Sequence, residues 1–344
     1  MKSQTGRSLM MLGIVGCFFL SVSCAKSESP PAYQPLPLAP SCLPEQIPFS
    51  DIGEGRLVFD RIGPEGNSYE DVYVIDAAAG TSWKVNIPSV MDGPQVSPDG
   101  SRIAGVMPSY TDSLYDVFTI EIDGTQPQNI SSLAGQDRQP SWTPDGQRVL
   151  FWVMNPPDIP LYIQTATPNP PDRAIIRTFS LQICGPVSVS NDLRAVFLWN
   201  PGWGQWQIFR MNLDGTDAVA LAPVAPTGRH YYSPVWSPDG TRIAYLMTEE
   251  NASTGEYFSL ELFVMDADGH DVRSVARFNT DADGAWAGWN DISVCWSPDG
   301  TKLAFNKKEG HLSSHIFLIN SDGTGLVQLT SEPGVTDRSL SWSR

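Results

Sequence analysis

Positive charge is scarce in this chain: 22 Lys and Arg stand against 38 Asp and Glu, a formal net charge of −16. No basic stretch with interleaved aromatics offsets that balance, so no nucleic-acid partner is expected. Histidine is scarcer still, with only His230, His270, His311 and His315. A metal site built on imidazoles needs several of them to converge. His270 follows an outer turn, and His311 and His315 precede one strand, so only His230 is expected near a shared opening. A G-x-S-x-G elbow is absent and no hydrolase domain follows the repeats described below, so a serine peptidase would lack its nucleophile. Long apolar runs are missing as well, apart from Leu9 to Val22, which is short for a bilayer span.

That run follows Lys2 and Arg7 and reads as a secretory signal peptide over residues 1–23. It closes on Leu20-Ser21-Val22-Ser23-Cys24, which resembles the lipobox of bacterial lipoproteins and makes Cys24 the expected lipidated N-terminus. Ser21 departs from the aliphatic residue usual there. Cys17 fits the short pattern better but leaves too little apolar run before it. Residues 24–49 carry Pro30, Pro31, Pro35, Pro37 and Pro40 with few large apolar side chains, the composition of an extended tether. Cleavage would remove Lys2 and Arg7 and no acid, taking the charge from −16 to −18. Cys42, Cys184 and Cys295 then remain, an odd number whose spacing favours no disulfide. For Cys184 and Cys295, on or beside strands, burial as small apolar residues serves equally.

What the chain has in quantity is turns, with 29 Gly and 29 Pro. One phrase recurs: VSPDGSRIA from Val96, WTPDGQRVL from Trp142, WSPDGTRIA from Trp236 and WSPDGTKLA from Trp296. A degenerate copy, VSNDLRAVF, starts at Val189, and Ser341-Trp342-Ser343-Arg344 begins another. The anchors Ser97, Thr143, Ser190, Ser237, Ser297 and Ser343 lie 46, 47, 47, 60 and 46 residues apart. Within each copy Pro pre-sets φ, Asp bonds the backbone ahead of it and Gly takes the positive φ that returns the next strand antiparallel. A third strand such as Ile316-Phe317-Leu318-Ile319, a second turn such as Asp322-Gly323 and a short fourth strand complete the period. Short strands at this period predict an all-β chain: a six-bladed propeller with four-stranded antiparallel blades over residues 50–344. Arg56-Leu57-Val58-Phe59 aligns with a second strand and Arg338 to Trp342 with a first strand, so the two ends are expected to share one blade.

An aromatic followed by Ser-Pro-Asp-Gly and a basic-Ile-Ala-aromatic strand is similar to the TolB-like propeller repeats, over about residues 50–344. That resemblance implies the fold; for function it spans periplasmic components of the Tol system, propeller domains of prolyl-oligopeptidase-like peptidases and some sugar-polymer lyases. The lipobox-like Cys24, the Pro-rich tether and the absence of a catalytic set lead to the expectation of a cell-envelope protein, lipid-anchored, periplasmic or at the cell surface: a non-catalytic propeller that binds a protein, peptide or envelope polymer. The alternative is an extracytoplasmic polysaccharide-active enzyme of the lyase kind, using His230, Tyr231 and nearby carboxylates.

Trp142, Trp236, Trp296 and Trp342 recur in register, which assigns them to packing between blades. Ligand-binding residues are expected where the repeat breaks. Loops entering the innermost strands converge on one mouth of the central channel and contribute Asp92, Asp137, Arg138, Arg229, His230, Tyr231, Asp291, Asp337 and Arg338. A solvated rim of loop charges is the plain alternative. The 60-residue interval adds Trp286 and Trp289, as a lid or a stacking platform. Its segment 279–290 resembles part of a calcium loop, with Asn290 where a bidentate Glu belongs. No other metal or cofactor is expected.

Overall fold

A computed structural model describes residues 47–63, 70–109, 115–131, 135–154, 159–165, 173–179, 183–200, 206–222, 225–250, 257–279, 292–309 and 313–344. One helical turn, α1 (Phe49–Ile52), leads into β1 (Arg56–Ile62), β2 (Glu70–Asp76) and β3 (Thr81–Lys84). Next come β4 (Asp92–Val96), β5 (Arg102–Pro108), β6 (Tyr115–Glu121) and β7 (Gln128–Asn129), then β8 (Gln136–Trp142), β9 (Arg148–Met154), β10 (Ile159–Thr165) and β11 (Arg173–Phe179). The third set is β12 (Ile183–Val189), β13 (Arg194–Trp199), β14 (Gln207–Asn212) and β15 (Val219–Ala220). The fourth is β16 (Arg229–Trp236), β17 (Arg242–Glu250), β18 (Tyr257–Asp266) and β19 (Arg273–Asn279). Each of these four sets is a four-stranded antiparallel sheet in up-and-down order.

The remaining strands are β20 (Val294–Trp296), β21 (Lys302–Glu309), β22 (Ser313–Asn320), β23 (Val327–Gln328) and β24 (Thr336–Ser343). With β1 to β3 they form one eight-stranded sheet. In it β24 runs antiparallel to β1, from Arg56 opposite Ser343 to Ile62 opposite Thr336, so the first and last strands are paired as their sequence register predicts. Between β22 and β24 the ladder pairing is a single parallel position, Ser314 beside Thr336.

In most sets two adjacent long strands are joined by aromatics. Phe59 faces Tyr73, Phe197 faces Phe209, Tyr245 faces Phe263 and Phe305 faces Phe317, all stacked at 5.3–6.2 Å between centroids. Such cross-strand pairs add about 0.5–1.5 kcal/mol beyond their burial. The same position in β5 is Gly105, opposite Phe118. A Cβ there would meet Met91 Cγ at 2.3 Å: the methionine fills the space the aromatic takes elsewhere, and Gly leaves room for it. Six clusters of buried apolar side chains occupy the described core, each drawing on two neighbouring sets of strands.

The repeated turn is held by its own side chains. Ser97 Oγ donates to Asp99 at 2.6 Å and accepts from the Arg102 N–H at 2.9 Å, and Gly100 takes φ 72°. The degenerate copy keeps these bonds through Ser190 and Asp192 but has Leu193 at φ 62° in the glycine's place. Leu193 is 51% exposed, so it gains little burial for a left-handed conformation that costs an L-residue about 1–2 kcal/mol. Glycine would add roughly 0.4–1 kcal/mol of unfolded-chain entropy. Leu193→Gly is therefore expected to stabilise the fold by about 0.5–1 kcal/mol. A higher urea midpoint at unchanged slope would register it; an unchanged or lower midpoint would contradict this account of the turn.

Candidate functional site

The innermost strands β4, β8, β12, β16, β20 and β24 all contribute to the wall of one cavity of about 1130 Å³. Midway along five of them the backbone turns left-handed, at Gly93 (φ 61°), Gln139 (φ 57°), Gly185 (φ 81°), Ser233 (φ 46°) and Ser339 (φ 56°). The ladder to the second strand slips at each of these places. Pro94, Pro140, Pro186 and Pro234 follow four of them, where the ladder does not need the N–H that proline lacks. These bulges re-aim the flanking side chains. Serine hydroxyls cross between adjacent inner strands: Val96 N–H donates to Ser341 Oγ (2.9 Å), Trp236 N–H to Ser188 Oγ (3.0 Å) and Leu340 N–H to Ser293 Oγ (3.0 Å).

The tryptophans lie where these strands meet the turns. Trp142 and Trp296 donate their indole N–H to Gln95 O (2.8 Å) and Val235 O (3.2 Å) on the preceding inner strand, and Trp342 donates to Glu54 O (3.0 Å). Arg102, Arg194 and Arg242 cover the rings of Trp142, Trp236 and Trp296 at 4.7–4.8 Å and reach the carbonyls of Gly146, Gly240 and Gly300. In Trp142 and Trp296 both functions of the indole are engaged in joining neighbours; the Trp236 ring is covered but its buried N–H has no hydrogen-bond partner among the described residues. The turn carboxylates are structural too: hydrogen bonds from Ser97 and Thr143 hold Asp99 and Asp145 below the usual carboxylate range.

At the other end of the inner strands lie the residues proposed for the mouth, and they separate by burial. Asp92 and Arg138 face the cavity, 30% and 31% exposed, with Arg138 Nη1 3.7 Å from the Asp92 carboxylate. Arg338 Nη2 approaches Asp92 from the other side at 3.7 Å, while its Nε donates to the buried Asp60 at 2.6 Å. Burial pushes the Asp60 carboxyl up to about 7, against the pull of the Arg338 guanidinium. Asp337 is fully buried and accepts from Arg61 at 2.6 and 3.0 Å and from Thr330 at 2.6 Å. Burial raises its carboxyl, with Arg61 opposing. Asp137 is likewise fully buried. Tyr231 is buried edge-on to Tyr245, with centroids 5.5 Å apart, and burial raises its hydroxyl. Thus Asp137, Asp337 and Tyr231 are core residues in this structure, because alternate positions on a strand face opposite ways.

Arg229 and His230 remain half-buried at the start of β16, paired with Glu249 (3.3 Å) and Glu250 (3.0 Å) on β17. Arg277 shares Glu249 at 2.9 Å. His315, read from sequence as preceding its strand, lies within β22 and is buried. Cys295 is a buried free thiol, raised by burial. Trp286, Trp289 and Asp291, the segment 280–290 of the calcium-like loop, Cys24 and Cys42 lie outside the described residues, as does the side chain of Cys184. Among the described residues no group of three or more His, Cys, Asp or Glu is arranged to hold a metal. The sequence reading missed Asp60, Arg61 and the bulges. The signal for the bulges was available: Gly93-Pro94, Gln139-Pro140 and Ser233-Pro234 each begin four residues before a turn anchor.

No family model matches the chain. In sequence, 141 residues, 41% of the chain, are 26% identical to the Tol-Pal system protein TolB of Anaeromyxobacter sp. strain K. The match takes in 27% of that relative's length. In fold, TolB from Acinetobacter baumannii is similar with a TM-score of 0.65 at 19% identity, over 84% of this chain and 66% of that one. An oligogalacturonate lyase in complex with manganese is similar with a TM-score of 0.52 at 12% identity, over 86% of this chain and 77% of that one. The repeated turn phrase, the partial sequence match and the shared architecture together support a TolB-like β-propeller family for this chain.

Proposed function

We propose that the chain is a non-catalytic, six-bladed propeller of the cell envelope, lipid-anchored at Cys24, that binds a protein, peptide or envelope polymer at its channel mouth. The observation that carries the reading is the cavity of about 1130 Å³ to whose wall all six inner strands contribute. A six-bladed ring accounts for it if the eight-stranded sheet is two blades whose strands pair only at Ser314 and Thr336. The apolar clusters favour that ring, since they link consecutive strand sets in cyclic order. The last one joins Leu57 and Phe59 of β1 to Ala304 of β21 and Leu318 of β22. An envelope location is suggested by the Tol-Pal system named for the matched relatives and by the signal-like run ending at Cys24. No helix among the described residues is long and apolar enough to cross a membrane.

Capture from envelope extracts tests the mouth. The immobilised wild-type chain is compared with a variant carrying Arg138→Ala, Arg229→Ala and His230→Ala, all on partly exposed side chains. Loss of a few well-placed contacts weakens an interface by about 2 kcal/mol or more, so at least one captured component should fall about tenfold or further. Unaltered capture of every component would remove this mouth as the binding site.

A further inference from the structure

Five residues before each turn anchor, the chain reaches the mouth at one level of the ring. On three consecutive inner strands, β24, β4 and β8, that residue is Arg338, Asp92 and Arg138. On the opposite side it is Gly185, Tyr232 and Ile292, the last two buried and lining the cavity. One half of the level is therefore charged and the other apolar. The guanidinium groups are held in place. Arg338 is anchored by Asp60 at 2.6 Å, and Arg138 lies over the Tyr115 ring at 4.6 Å and donates to Gln136 at 2.9 Å. Both stand 3.7 Å from Asp92, beyond hydrogen-bond distance; Arg138 faces the cavity, and Arg338 is buried behind it.

We propose that this half-charged, half-apolar level is a subsite for a carboxylate carried beside an apolar side chain in an acidic peptide. The inference rests on the mouth being the binding site and adds the chemistry of what it reads. A fixed guanidinium at the cavity wall, Arg138, matches a carboxylate with charge-assisted hydrogen bonds, and with the buried Arg338 charge behind it opposes the net charge of −16, which by itself would favour cations. Tyr232 and Ile292 offer apolar contact across the opening. A sugar polymer is disfavoured because the rings of Trp142, Trp236 and Trp296 are already covered by Arg102, Arg194 and Arg242.

Fluorescent hexapeptides test it by anisotropy, using alternating Leu-Glu, Leu-Lys and Ser-Glu sequences and a hexauronate on the full chain. Leu-Glu should bind at least about tenfold tighter than either other peptide, since one charge-assisted contact amounts to that factor or more. Arg138→Gln should weaken Leu-Glu by a similar factor. Asp92→Asn, which removes the competing carboxylate, should tighten it, and this opposite sign separates recognition from misfolding. Tighter Leu-Lys binding that Asp92→Asn weakens would overturn the carboxylate reading and leave the mouth standing as a site. A tighter hexauronate would overturn the peptide class. Failure of the Leu-Glu peptide to bind would overturn the inference, while the extract capture still judges the mouth.

Discussion

Arg61→Met is expected to destabilise the fold by about 3–5 kcal/mol, because it leaves the carboxylate of Asp337 buried without its cation. The two residues face each other across β1 and β24, and next to them Asp60 faces Arg338, so the same Asp-Arg pair on two antiparallel strands forms two crossed ion pairs. Arg61 also binds Glu332 at 2.8 Å, and Thr330 adds its hydroxyl to Asp337. Arg61→Met combined with Asp337→Leu should recover most of the loss, since apolar replacement of both partners removes the desolvation cost as well as the attraction. Urea unfolding at neutral pH measures both. A single variant within about 1 kcal/mol of wild type, the level of an exposed pair, would mean that these charges do not hold the terminal strands together.

The Asp60 half of the clasp gives that prediction a pH signature. Its folded value near 7 lies above the unfolded value of about 3.9, so the folded chain binds the extra proton between them. Its contribution is therefore complete below about pH 4, declines as pH rises towards 7 and is flat above. Asp60→Asn should remove that slope. Asp99 and Asp145 act in the opposite sense: their lowered carboxyls contribute above the unfolded value and lose that contribution as pH falls through the lowered one. The two effects together predict a stability maximum on the acid side of neutrality.

The strands and their turns were legible because each repeat carries its own instructions within about ten residues. Ser97, Asp99 and Gly100 bond one another, and nothing distant is needed to anticipate the hairpin. The terminal pairing was legible from the spacing of Arg56 and Arg102. Burial at the mouth was a different matter. Asp92 and Asp337 both stand just ahead of an inner strand's bulge, yet one faces the cavity and the other the core. The difference is one residue of register: Asp92 sits five before its anchor and Asp337 six, and a single step along a strand reverses the side chain. What makes burial of Asp337 tolerable is Arg61, 276 positions away, which no local pattern reveals. Asp137 lies six before Thr143, in the same parity as Asp337, and is buried for the same reason.

Trp296→Ala is expected to destabilise by about 3–5 kcal/mol, as truncation of a buried tryptophan does. Trp296 is 4% exposed and packs in the cluster that joins β16, β17 and β18 to β21 and β22. Its N–H bonds Val235 O and its ring lies under Arg242, so one side chain contacts the neighbouring set in three ways. The variants can apportion them. Trp296→Phe keeps most of the apolar contact and loses the indole donor, leaving the carbonyl of Val235 short of a partner, a change of about 1 kcal/mol. Arg242→Gln should cost measurably less in the Trp296→Ala background than alone, because residues in contact are non-additive. If Trp296→Ala instead left stability within about 0.5 kcal/mol and abolished capture of an envelope component, tryptophan at this register would be a ligand platform. The covered ring faces and engaged indole donors predict the other outcome, in which the repeated tryptophan maintains the wall of the cavity and recognition falls to the side chains at its opposite end.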